Sequence, residues 1–511
     1  MKTRMLVLVC VSFLLVLACR KDGNDEPETE TNLMTNAIVY EGDYPEPAFV
    51  SFAENFGLVK IEAYPGFITA FFDPSVAETD AETMITEVGG TVRSKIPSLG
   101  YYLIESSASI TGNVINDLQA NAEVDYACPK VVVHLSAMVL DGCGSGVPEG
   151  ESHAQKVIKN LEECGGAFET CDGIINLSGD VVEDYILHGM IQDIQSKPNG
   201  SILINISASG GLNDGSWPSH TANDRSFYER TWYYFMRDLL HIIGGLDNSY
   251  RSRLIVSVAS GNGNMPITDM LAQLRVDPMN AQILEENILL VSNKADSTGT
   301  MGGNYAPNDP DVVVLDNPDA ASGTSFAAPC ALGIIQDVID SQGVTTSEAL
   351  KAVKLASAAD GERLVDPTIV VTMLDMIEGQ TEYKGNANTM AFEVITGPCV
   401  GLITFVNVPT IYWNGSSGTM IMPSDCKVAL ISGDNCFING SDHDAKVFQF
   451  SLSGSNSSFS GTGTTSFNIG SGAVPVVAKF SGAVNILGDV SGTLTLTAVG
   501  DQSATITLFK Q

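Results

Sequence analysis

The chain has 511 residues, 44% of them hydrophobic and 17% charged. That balance belongs to a packed globular protein and excludes a disordered one, and the length is too great for one core, so roughly two to four domains are expected. With 26 Lys and Arg against 60 Asp and Glu, the net charge of −34 repels a phosphate backbone and argues against a nucleic-acid partner.

The N-terminus carries an address. Lys2 and Arg4 precede an apolar run from Met5 to Leu17, shorter than the roughly 20 residues that span a bilayer, which is the pattern of a signal peptide. Its ending, Val16-Leu17-Ala18-Cys19, resembles the lipobox of bacterial lipoproteins. The resemblance implies that residues 1–18 are removed, that Cys19 is lipidated, and that the protein is anchored to the outer membrane or cell surface of a bacterial envelope. The segment 19–36 is largely polar and opens on Arg20-Lys21-Asp22-Gly23-Asn24-Asp25-Glu26, as expected of a tether.

Residues 37–134 are expected to form a small α+β unit. Phe67 to Phe72 reads as strand, Ala81 to Val88 as an amphipathic helix closed by Gly89-Gly90, Tyr101 to Ile104 as strand, Gly112 to Ala120 as helix and Val124 to Val133 as strand. Together with Glu87-Val88-Gly89-Gly90-Thr91-Val92 and Asn121-Ala122-Glu123-Val124-Asp125-Tyr126, this pattern resembles the inhibitory propeptide of subtilases, a ferredoxin-like unit that assists folding and blocks the active site.

Over residues 135–382 strands alternate with helices, the mark of a doubly wound parallel sheet. Ala137–Leu140, Ile202–Ile204, Leu254–Val258 and Ile288–Val291 read as buried strands, and Ser152–Glu163, Val182–Ser196, Ser226–Ile243 and Ser325–Ser341 as helices. Functional groups in such sheets gather at the carboxyl ends of the strands. Residues 383–511 are rich in Gly, Ser and Thr with alternating apolar positions, as in Gly492-Thr493-Leu494-Thr495-Leu496-Thr497. They are expected to form one or two small β-sandwich units.

Gly323-Thr324-Ser325-Phe326-Ala327-Ala328-Pro329 matches the fixed positions of the subtilase nucleophile motif G-T-S-x-A-x-P. The resemblance implies a subtilisin-like peptidase domain with Ser325 as nucleophile at the start of a helix, where unpaired amides favour an oxyanion. Pro329 is expected in the first helical turn. Val258-Ala259-Ser260-Gly261-Asn262-Gly263-Asn264 resembles the family's oxyanion segment and makes Asn262 the side-chain donor. Ile204-Asn205-Ile206-Ser207-Ala208-Ser209-Gly210 resembles the edge that pairs with substrate backbone, which assigns Ser207, Ala208, Ser209 and Gly210 to substrate binding.

For the base there are two candidates. His153 opens an amphipathic helix and stands in the family's chain order; His188 is followed by Gly189 but lies inside a helix, so His153 is favoured. Asp141, followed by Gly142, resembles the family's acid and would orient the base. The order Asp141, His153, Ser325 is the subtilisin order, and the short span between Asp141 and His153 implies a deleted loop or strand.

The resemblance therefore implies a serine endopeptidase acting on polypeptides, with its own propeptide-like unit as partner. No cofactor is called for. No loop has EF-hand spacing and no C-x-x-C pair occurs, so calcium has no identifiable site and a zinc cluster is disfavoured. Export permits disulfides; Cys164 with Cys171 and Cys426 with Cys436 are close enough for local bridges, though spacing does not fix connectivity. A degenerate, peptide-binding surface lipoprotein is the alternative, and an adhesin working through the β-rich tail is a third reading. Because the propeptide-like unit ends shortly before Asp141, its junction is expected not to reach Ser325, giving slow or absent self-cleavage.

Overall fold

The computed structural model describes residues 32–40, 42–54, 57–140, 164, 183–197, 200–211, 217–293, 303, 304, 306, 311–315, 323–359, 367–386, 388–396, 399–407, 409–432, 443–468, 473–497 and 501–510. The N-terminal unit contains β1 (Ala48–Glu54), β2 (Gly57–Phe72), α1 (Glu78–Glu87), β3 (Thr91–Ile96), β4 (Tyr101–Glu105), α2 (Thr111–Gln119) and β5 (Val124–Val131). β2 pairs antiparallel with β4 on one edge and with β5 on the other, and β3 extends the sheet beyond β4. The expected strand–helix–strand–strand–helix–strand order is present. The hairpin of β1 with the first half of β2 was not expected. Ahead of it, Leu33 is buried and Ile38 bridges Lys95, so part of the stretch read as tether packs on this unit.

The middle sheet has the order β10-β9-β8-β7-β6, from β6 (Val133–Leu140), β7 (Ile202–Gly210), β8 (Leu254–Ala259), β9 (Ile288–Asn293) and β10 (Val312–Leu315). β7 to β10 are mutually parallel. Their apolar side chains alternate between two cores, as a sheet covered on both faces requires. Ile202, Ile204, Ile206, Val256 and Leu290 enter one core with α3 (Glu183–Ser196), α4 (Ala222–Gly244), α5 (Thr268–Leu274) and α6 (Pro278–Glu286). Leu203, Ile255, Leu289 and Val313 enter the other with α7 (Thr324–Gln342), α8 (Thr346–Ala359) and α9 (Pro367–Ile377).

One strand departs from the parallel expectation. β6 pairs antiparallel with β7, from Val133 opposite Gly210 to Leu140 opposite Ile204. The cause is the route by which the chain arrives. A parallel neighbour needs a crossover of a dozen or more residues, whereas only Val132 separates β5 from β6. The N-terminal unit is docked on α4: Phe71 and Tyr126, cross-strand partners on β2 and β5, both pack edge-on against His241, and the Glu62 N–H donates to Thr231 Oγ1 at 2.9 Å. This docking delivers the chain to the carboxyl end of β7, so β6 runs back toward its amino end.

The C-terminal region is a barrel and not a sandwich. It contains β11 (Thr381–Gly385), β12 (Asn388–Thr396), β13 (Cys399–Asn407), β14 (Thr410–Trp413), β15 (Ser417–Ser432), β16 (His443–Ser455), β17 (Ser458–Asn468), β18 (Ala473–Val484), β19 (Val490–Thr497) and β20 (Asp501–Lys510), all antiparallel. One edge of β15 serves β14 and then β13 while its other edge serves β16, which closes the sheet on itself. Closure removes exposed edges. Trp413, Phe448, Phe450, Phe459, Phe480 and Leu494 fill the interior.

Candidate active site

Ser325 is the second residue of α7 and is 5% exposed. Its helix starts at the carboxyl end of the parallel strands, and the first-turn N–H groups of such a helix have no partner within it. Gly323 precedes the helix in an extended conformation. A Cβ built at Gly323 would lie 3.4 Å from Ser325 Oγ and 3.6 Å from both Asn262 Nδ2 and Asn262 Oδ1. The hydroxyl and the amide therefore face one shared space, which a side chain at position 323 would fill.

The orientation of the Asn262 amide follows from its contacts. Its Oδ1 accepts from the Thr324 N–H at 2.8 Å and from the Thr324 hydroxyl at 3.1 Å. Two donors on Oδ1 fix which way the amide is turned, and its Nδ2 is a neutral N–H donor of the kind that suits a developing negative charge. Thr324 Oγ1 also accepts from the Gly261 N–H at 3.2 Å, tying the Asn262 turn to the start of α7. Gly261 itself has φ +101°, a left-handed conformation suited to glycine, and a Cβ there would approach Ser209 Oγ to 2.4 Å.

Pro329 lies in the second turn of α7, not the first as expected, because the helix begins at Thr324. At that position it lacks the N–H that would bond the Ser325 carbonyl. Ser207 supplies the missing donor: its hydroxyl donates to the Ser325 carbonyl at 2.8 Å, while Asn205 Nδ2 donates to Ser207 Oγ at 3.0 Å. Ser207 thus touches the peptide unit of Ser325. Ser209 Oγ donates to the Ser260 carbonyl at 3.2 Å, and Gly210 sits so close to α4 that a Cβ would meet Phe235 Cβ at 2.7 Å.

The edge assigned to substrate is already paired. Val133, His134, Leu135 and Ala137 lie opposite Gly210, Ser209, Ala208 and Ser207. The junction after the N-terminal unit therefore runs along the edge assigned to substrate. No long span has to be crossed, because the docking on α4 starts the strand at Gly210.

Asp141 and His153 lie outside the described residues, as do Cys19 and the expected helix over 152–163. The last residue of β6, Leu140, pairs with Ile204. Three residues beyond Ala137, Leu140 is about 10 Å farther from Ser207 along the strand. His188 is 2% exposed in α3, among Leu187, Met190, Ile191 and Ile194 of the core, as a packed mid-helix residue would be.

Cys164 is joined to Cys330 with Cα atoms 5.1 Å apart, which corrects the expected pairing with Cys171. Cys330 belongs to α7, and tertiary folding brings together half-cystines that are remote in sequence. Cys436 lies outside the described residues, so the Cys426 pairing is undecided. Among the described residues no group of three or more His, Cys, Asp and Glu is arranged to hold a metal ion.

Sequence reasoning did not find Asn304, which is fully buried against the Asn262 turn. Its Nδ2 donates to the Ser260 carbonyl at 2.6 Å, its Oδ1 accepts from the Met265 N–H at 3.0 Å, its own N–H donates to the Gly261 carbonyl at 2.7 Å, and its carbonyl accepts from Ser260 Oγ at 2.9 Å. The adjacent Gly302-Gly303 was the one available signal. A Cβ at Gly303 would meet Thr324 Cγ2 at 2.5 Å, so this backbone must approach α7 closely.

Residues 67–130 match the family model of the fervidolysin N-terminal prodomain. The matched span runs from the second half of β2 to β5. That prodomain is the propeptide of a subtilisin-like protease, and the match points to that class of enzyme for this chain. No curated protein matches the chain.

Proposed function

We propose that the chain is a subtilisin-like serine endopeptidase whose nucleophile is Ser325. The observation that carries this reading is the shared space over Gly323, with the Ser325 hydroxyl on one side and the Asn262 amide on the other. A hydroxyl at a helix start facing an oriented neutral amide is the arrangement acyl transfer needs. The prodomain match supports the same class.

In this mechanism Ser325 Oγ attacks the carbonyl carbon of a peptide bond while His153 takes its proton and Asp141 orients the imidazole. The tetrahedral oxyanion is met by Asn262 Nδ2 and the Ser325 N–H. Its collapse breaks the C–N bond, the leaving amine takes the proton from His153, and water then hydrolyses the acyl-enzyme. Polypeptide is the substrate, taken as an added strand along Ser207–Gly210. With β6 on that edge the described form is closed, and substrate displaces Val133–Ala137. The propeptide-like unit is the site's covalent partner. A lipid on Cys19 anchors the protein to the bacterial envelope, and the Cys164–Cys330 bridge accords with an oxidising compartment.

The second reading is a peptide-binding lipoprotein that has lost catalysis. It is favoured by the direction of β6, which carries the chain before Asp141 away from Ser325. Hydrolysis of fluorescently labelled casein by the purified chain separates the two. The peptidase reading expects activity that is lost in Ser325→Ala and His153→Ala and retained in His188→Gln. Casein binding without cleavage in the parent chain overturns it.

A further inference from the structure

We propose that Asn304 is the positioning residue that aims Asn262 at the nucleophile, an inference that rests on the peptidase reading. The turn from Ser260 to Met265 connects β8 to the segment before α5 and carries Asn262. Four hydrogen bonds from Asn304 cross it, two from the side chain and two from the backbone. They hold the turn at both ends, Ser260 before Asn262 and Met265 after it. The Ser260 carbonyl also accepts from Trp232 Nε1 at 3.0 Å and Ser209 Oγ at 3.2 Å, so the first end of the turn is fixed from three directions.

Asn262 depends on this clamp because its own amide oxygen is committed to Thr324. The direction of Nδ2 is then set by where the turn's backbone lies relative to α7. A shift of a few tenths of an ångström at Ser260 or Met265 rotates Nδ2 with respect to Ser325 Oγ, and transition-state donors are sensitive to displacements of that size. Asn304 fits the task because a single amide both donates and accepts. Aspartate has the same shape but would set a carboxylate against the Ser260 carbonyl.

The test is a double-mutant cycle on the rate of fluorophosphonate labelling, in which Ser325 Oγ displaces fluoride from phosphorus, with amide exchange read beside it. Asn304→Ala and Asn304→Asp are each expected to slow Ser325 phosphonylation about tenfold or more in the parent chain and less than twofold in Asn262→Ala, because the donor being aimed is then absent. In both Asn304 variants the peptide spanning Ser260 to Met265 is expected to exchange at least tenfold faster, with the barrel strands unchanged. Equal slowing in both backgrounds, or unaltered exchange over the turn, overturns the proposal. Absence of Ser325-dependent labelling in the parent defeats the peptidase reading instead, and the exchange result still decides whether Asn304 holds the turn.

Discussion

Ser325 and Asn262 meet because each is placed by its own short stretch of sequence. The Gly323 to Pro329 segment starts a helix at the end of a buried sheet, and the Asn262 turn follows β8. Both stretches were legible as motifs for that reason. Asn304 was not, since its partners are backbone atoms some forty residues away in sequence, and a backbone carbonyl has no signature in the residue that bears it. Pro329 was legible as a residue but misjudged in place; as the sixth residue of the helix it lies in the second turn, where Ser207 is the substitute donor to the Ser325 carbonyl. For Asn262→Ala the account expects acylation slowed by about 10²- to 10³-fold and, because the Thr324 N–H and hydroxyl lose their acceptor, a stability loss of about 1–3 kcal/mol. Stopped-flow acylation and a thermal melt check both halves.

At the scale of elements, apolar runs and helical periodicity gave most of α3, α4, α7, β8 and β9, because burial on both sheet faces imposes those patterns. Periodicity carries no direction, so β6 was found as a strand but not as an antiparallel one. The short β10 (Val312–Leu315) is secured by a buried ion cluster that pattern reading does not show. Asp311 bonds Lys354 Nζ at 2.9 Å and Arg275 at 2.6 Å, and Lys354 also donates to the Leu284 and Glu285 carbonyls at the end of α6. Burial raises the Asp311 carboxyl, but Lys354 and Arg275 beside it outweigh this and hold it below its ordinary value. A carboxylate with a depressed folded value stabilises the fold above about pH 4, and that contribution is lost as the pH falls through the lower folded value. Asp311→Asn should destabilise the protein by about 3–5 kcal/mol at neutral pH, as removal of one partner of a buried pair does, and remove this part of the acid sensitivity. Chemical denaturation at pH 7 and below pH 4 measures it; an unchanged midpoint at pH 7 would contradict it.

The whole molecule joins an N-terminal unit, a covered sheet and a closed barrel; in the sequence the first two show as patterns of strands and helices and the third as a shift of composition toward Gly, Ser and Thr. It did not show closure, because alternation along a strand is the same in a sandwich and a barrel, while the double use of one edge of β15 is a matter of pairing. Nor did it show the docking of the N-terminal unit on α4, where His241 lies between Phe71 and Tyr126. Burial, assisted by Arg237, pushes His241 down to about 4, with Asp277 opposing. A histidine held neutral stabilises the folded form fully above its ordinary value near 6.5, and that contribution fades as the pH drops from about 6.5 to about 4. Asp125, in the same cleft and raised by burial and Asp73, works in the opposite sense, so a single substitution isolates the histidine. His241→Phe should flatten the fall in thermal stability between pH 6.5 and 4; an unaltered slope would contradict this. A further expectation concerns β6, whose residues are tied into the sheet from Val133 to Leu140. The purified chain should keep its mass on incubation, and a Ser325-dependent cut within residues 133–140 would show that β6 serves as a substrate.

The central claim is that Ser325 is an activated nucleophile. Labelling of the purified chain with a small fluorophosphonate, followed by mass mapping of the modified peptide, tests it most directly, because such a probe is not a strand and does not need the edge that β6 covers. The account predicts one adduct, on Ser325, absent from Ser325→Ala and from heat-unfolded protein. An unlabelled native chain, or an adduct that persists in Ser325→Ala, would contradict it.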